Sequence, residues 1–117
     1  MIIRKPEDVP VHDTVHKVEA KKLYDYPSAI IIHLTLKPGE SLIKHTTPTD
    51  VAFFVLEGKG IVQIGEEKKE VGPNTLIESP ADILHCWYNE SKENFRVLVI
   101  KAPKPTQPSK YLEKPRE

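Results

Sequence analysis

Turn residues cut this chain into apolar runs that suit strands far better than helices. Ala29 to Leu36 (AIIIHLTL) is dense in β-branched side chains and stops at Pro38-Gly39, where proline withholds a ladder donor and glycine permits positive φ. Ser41 to Thr47 and Val51 to Leu56 (VAFFVL) follow, Gly58-Lys59-Gly60 turns the chain into Ile61 to Ile64, and Gly65 to Lys68 reads as a hairpin tip. Val71, Thr75 to Glu78, Leu84 to Tyr88 and Phe95 to Lys101 continue the series at the short spacing of a sandwich or barrel. No stretch keeps a helical period for long. Val15 to Tyr24 carries Ala20 and lysines that favour a helix, but Tyr24-Asp25-Tyr26-Pro27-Ser28 follows as a hairpin connection, so a strand is expected there too. The fold class is predicted to be all-β, with sheets that close or pair to hide their edges.

A chain of 117 residues supports one domain with a single core. Residues 1–102 are expected to form it, with N-terminal strands within 1–36. From Ala102 onward, APKPTQPSKYLEKPRE has no periodic apolar face and is broken by prolines. Residues 103–117 are therefore expected as a Pro- and Lys-rich tail or arm, in which Tyr111 and Leu112 would anchor to a neighbouring subunit. Lys plus Arg and Asp plus Glu both number 17, so no net positive field favours nucleic acid. The opening MIIRKPEDVP has charges and a proline where a secretory leader would be apolar, and no apolar run is long enough to cross a bilayer. The expectation is a cytoplasmic protein without a membrane partner. A single cysteine, Cys86, excludes an intrachain disulfide and Cys-rich zinc modules, leaving histidines and carboxylates as the material for any metal site. Scarce Asn and Gln beside plentiful Lys, Glu and Ile suit a protein that works at high temperature.

Two groups of residues share a spacing that turn chemistry alone does not demand. Gly39, His45, a turn over Thr46 to Asp50 and Gly58 form the first; Pro80, Asp82, His85 and Asn89 form the second. Together they resemble the paired motifs of the cupin superfamily, over residues 39–89. The resemblance implies a double-stranded β-helix, or jelly-roll barrel, with a metal site inside. In that family the first motif presents His-x-His and then Glu, and the second presents one more His. Residues i and i+2 of a strand share a face about 6.6 Å apart, so such side chains can close on one ion. Here His45 matches the first ligand and His85 the last, but Thr47 stands in the place of the second histidine and Val51 in that of the glutamate. The implied site is degenerate: His45 and His85 are its metal ligands, His33 is the candidate third, and the cofactor is one divalent transition metal ion or none. Asp50 and Cys86 each sit one residue from a ligand position, on the opposite strand face unless a bulge intervenes.

The barrel mouth is the default pocket, lined by His45, Thr47, His85 and Trp87, although a barrel-core tryptophan is the simpler use of Trp87. His45 and His85 also admit a plain reading as neutral, hydrogen-bonded histidines, and Pro80, Asn89 and the glycines one as turn chemistry. His12-Asp13-Thr14-Val15-His16 looks superficially like a HExxH metalloprotease helix, but Pro10 and two β-branched residues argue against that helix. Val51 to Leu56 is apolar on both faces, which points to a homodimer. The functional expectation is a barrel that binds a small polar ligand. The alternative is a metal-dependent enzyme (dioxygenase, decarboxylase or sugar isomerase) using His45 and His85 with a non-standard third ligand, or a module whose tail contacts another protein.

Overall fold

A computed structural model describes residues 1–117. Apart from a short 3-10 turn at Pro6–Asp8, the regular structure is all strand: β1 (Glu19–Tyr26), β2 (Ala29–Leu36), β3 (His45–Thr46), β4 (Val51–Glu57), β5 (Gly60–Ile64), β6 (Glu67–Val71), β7 (Leu76–Ser79), β8 (His85–Tyr88), β9 (Phe95–Lys101) and β10 (Lys110–Tyr111). They form two five-stranded antiparallel sheets, in the orders β1-β2-β9-β4-β7 and β10-β3-β8-β5-β6. After β2 the chain crosses between the sheets at every connection but the β5–β6 hairpin, which is the winding of a jelly roll. The radius of gyration is 13.4 Å.

Alternation on β4 and β9 fills the space between the sheets. Val51, Phe53 and Val55 are buried on β4, and Phe53 and Val55 stand opposite Val99 and Val97 of β9. Trp87 of β8 packs edge-on to Phe53 at 5.3 Å between ring centres and lies 4.9 Å from Phe95. This aromatic group, with Leu34, Leu36 and Val62, is the core. The Gly-Lys-Gly turn is demanded by close approach. A Cβ on Gly58, where φ is +81°, would lie 2.3 Å from the Asn94 carbonyl oxygen, and one on Gly60 would lie 2.5 Å from the Phe95 ring. Asn89 serves the fold as well: its amide donates to the carbonyls of Leu36 at 2.9 Å and Glu93 at 2.8 Å.

The segment after residue 102, expected as a Pro- and Lys-rich tail or arm, carries a short strand of its own. It folds back on its own barrel, where Lys110 and Tyr111 pair with Thr46 and His45 as β10. The Leu112 N–H donates to the Lys44 carbonyl at 3.0 Å, and the Arg116 guanidinium donates to the carbonyls of His16 and Ser41. The physical reason is the free edge of β3, whose backbone groups need partners.

Candidate functional site

A cavity of about 310 Å³ opens between the sheets where β3, β8 and the end of β9 converge. Ile32, Leu34, Leu42, Phe53 and Val99 form its apolar floor. His12, His16, His45, His85 and Lys101 bring nitrogen into it, and Ser109 and Tyr111 of the C-terminal segment complete the wall.

The two motif histidines meet directly. His45 and His85 are register partners of β3 and β8, both buried, with their Nε2 atoms 3.0 Å apart. The hydrogen bonds around them fix the protons. His45 Nδ1 lies 2.7 Å from the Ile43 carbonyl, which can only accept, so Nδ1 carries the hydrogen and Nε2 is bare. His85 Nε2–H therefore donates to His45 Nε2, and His85 Nδ1 accepts from the Ser79 hydroxyl at 2.8 Å. Thr47 Oγ1 stands 3.1 Å from His85 Nε2 and 3.5 Å from the Ser109 hydroxyl. His16 sits with its ring centre 5.0 Å from that of His45, and its Nδ1 accepts the Ile43 N–H at 2.8 Å. Its own hydrogen is then on Nε2.

Burial keeps these rings neutral. It pulls His85 down to about 3, with the charges of His45, Lys101 and His16 adding to the effect. It pulls His16 down to about 3 as well, with His45, Arg116 and Lys101 contributing. His45 is lowered by burial, against the Ile43 carbonyl bond that favours its charged form. Lys101 is lowered by burial alone. Asp13, at the rim, is engaged by Lys17 at 2.8 Å and its side chain is 85 % exposed.

Of the residues singled out from sequence, His45, Thr47 and His85 come together. Trp87 does not line the cavity: it is fully buried between Phe53 and Phe95, as the core reading has it. His33 is not a third ligand. It pairs in register with Leu98, which in turn pairs with Phe54, on the face of the sheet opposite Phe53 and Val99, and its Nε2 accepts from Arg96 Nε at 3.1 Å. Asp50 accepts the Ala81 N–H at 2.8 Å and so braces a turn. Cys86 is buried with its sulfur 3.2 Å from the Leu42 carbonyl, and burial pushes its thiol up. The sequence does not place His16, Lys101, Ser109 or Tyr111 in the pocket: His12 and His16 stand out there only as a superficial HExxH pattern, Tyr111 only as an anchor, and Lys101 only as the polar end of the alternation Phe95, Val97, Val99, Lys101.

Two nitrogens at 3.0 Å with both Nδ1 atoms anchored would suit two adjacent ligands of one ion. The rest of the donor set does not fit. Thr47 and Val51 supply neither imidazole nor carboxylate, His16 faces the cavity with a protonated nitrogen, and no group of three His, Cys, Asp or Glu side chains is placed to share an ion. Lys101 adds a like charge to the same space.

A model of the Cupin domain family matches residues 32–101, more than half of the chain. The chain belongs to the cupin family. An uncharacterised protein from Streptomyces coelicolor is 32% identical over 54 residues, 46% of this chain and 50% of the relative, so the match spans about half the length of that curated relative. Among solved structures, the polyketide cyclase RemF from Streptomyces resistomycificus is similar with a TM-score of 0.83 at 21% identity, over 97% of this chain and 86% of that one. The TT1209 protein from Thermus thermophilus has a TM-score of 0.77 at 25% identity, over 90% and 100%. KdgF from Halomonas sp. has 0.75 at 16% identity, over 86% and 91%. They share the barrel.

Proposed function

We propose that this cupin is a binding barrel for a small polar organic molecule, with no resident metal ion. The observation that carries the reading is the cavity itself: an apolar floor closed at one end by neutral histidines, of which His45 and His85 have their ring protons committed to Ile43 and to each other, and by the Ser109 hydroxyl. A space of this size with few convergent polar groups is the usual form of a small-molecule site. A ligand that binds only the folded state raises its stability, so a thermal-shift screen of small metabolites followed by amide NMR tests the reading. The expected result is at least one molecule that raises the melting temperature and shifts resonances of Leu42 and Val99. Screening that yields none, with turnover appearing only after a metal is added, overturns it.

The competing reading, a metal-dependent enzyme, is favoured by the anchored Nε2 pair of His45 and His85. Elemental analysis of untagged protein after exposure to iron, manganese, nickel and zinc separates the two. We also propose a homodimer through the outer face of the first sheet. Phe54 and Leu98 are register partners there beside Ala52 and Ile100, all half-buried in the single chain. Light scattering at a monomer's mass overturns that proposal.

A further inference from the structure

We propose that Lys101 makes the cavity a site for an organic carboxylate, its ammonium group receiving the anion beside His16 and Ser109. This deepens the binding reading and rests on it. The case begins with register: Lys101 stands opposite both Ile30 and Val51, so its side chain is on the inner face of the sheet, and it lines the cavity. It forms no ion pair, although Lys17, Lys22, Lys69, Arg96 and Lys104 all do. The one carboxylate at the rim, Asp13, is turned to solvent and held by Lys17. Lys101 is half-buried, and an ammonium partly withdrawn from water without a counter-ion is costly, a cost that an anion entering the cavity reduces.

The neighbours of Lys101 select further. Because His16 Nδ1 accepts the Ile43 N–H, its Nε2–H is a donor, and the Ser109 hydroxyl can donate as well. These are partners for an acceptor-only group such as a carboxylate. The floor of Ile32, Leu34, Leu42, Phe53 and Val99 offers nothing to a fully hydrated inorganic anion, but does receive a hydrocarbon body. Cations are disfavoured by the same lysine.

The test is an amide NMR titration of the full chain with acetate, pyruvate and benzoate, against the uncharged acetamide and benzamide and against inorganic phosphate. At least one carboxylate is expected to shift resonances around the cavity in the low millimolar range, with its amide at least about tenfold weaker. Lys101→Met should weaken that carboxylate at least about tenfold, whereas Lys101→Arg keeps most of the affinity. If Lys101→Met fails to fold, the comparison of acid with amide on the unaltered protein decides alone. Equal binding of acids and amides overturns the role of Lys101 and leaves the binding barrel standing. No response to any carboxylate up to about 50 mM, or tighter binding of phosphate than of every carboxylate, also overturns it. The thermal-shift screen of small metabolites then judges the barrel separately.

Discussion

Val51 and Lys101 stand directly opposite each other on β4 and β9, side by side on the inner face of the first sheet. In the pattern the chain resembles, the position of Val51 belongs to a carboxylate ligand, so hydrocarbon and ammonium now occupy the neighbourhood where a metal's negative partner would be. Wild-type protein is expected to retain less than about a tenth of an ion per chain after reconstitution. Restoring donors and removing the cation, as Thr47→His with Val51→Glu and Lys101→Met, should raise occupancy toward one. Full occupancy in the unaltered protein would sink the metal-free reading.

The neutral histidines make stability depend on pH. His16 and His85 are lowered to about 3 in the folded chain, from 6.5, so between these values the unfolded chain takes up protons that the folded chain refuses. Their contribution is complete above about pH 6.5 and is lost as the pH falls toward 3, with a slope of up to roughly 1.4 kcal/mol per pH unit for each ring. Urea midpoints should therefore drop between about pH 7 and about pH 5, and His85→Gln should flatten the drop. Midpoints that do not move across this range contradict the neutral assignment.

The Gly-Lys-Gly turn gives a prediction of a different kind. Gly58→Ala places a Cβ against the Asn94 carbonyl at a positive φ, and neither backbone can give way easily. A loss of about 2–4 kcal/mol is expected. Gly60→Ala presses instead on the Phe95 ring within the core and should cost about 1–3 kcal/mol. Denaturant unfolding measures both; a neutral Gly58→Ala would mean that the β4–β5 turn sits differently.

Ending the chain at residue 108 removes β10 and Arg116 together, baring the edge of β3. Hydrogen exchange at Thr46 should quicken and the melting temperature should fall by several degrees, at about 4–8 °C per kcal/mol for a domain of this size. Arg116→Gln alone should cost at most about 1 kcal/mol, because the strand pairing survives. Unchanged exchange at Thr46 in the shortened chain would contradict the pairing.

The fold was legible because it rests on local signals: β-branched runs, proline and glycine at the turns, and the offsets from Gly39 to Asn89. The meeting of His45 and His85 was legible for the same reason. His33 was not, since β2 is apolar on both faces and alternation cannot say which side is inside. His16 lies before β1 in a stretch with no strand period, and long-range partners, the Ile43 N–H on its ring and Arg116 on its carbonyl, hold it at the cavity. Ser109 and Tyr111 sit in a segment whose prolines suggest a loose arm; it takes the free backbone of β3, some sixty residues away, to make it a wall.

The place of β9 between β2 and β4 has a consequence for the chain while it is being made. Until residues 95–101 leave the ribosome, β2 and β4 are two strongly apolar strands without the neighbour that separates them, each presenting unpaired backbone to whatever comes near. A chain ended before Phe95 is thus expected to be a sticky one, because two apolar strands then lack the neighbour that covers their edges.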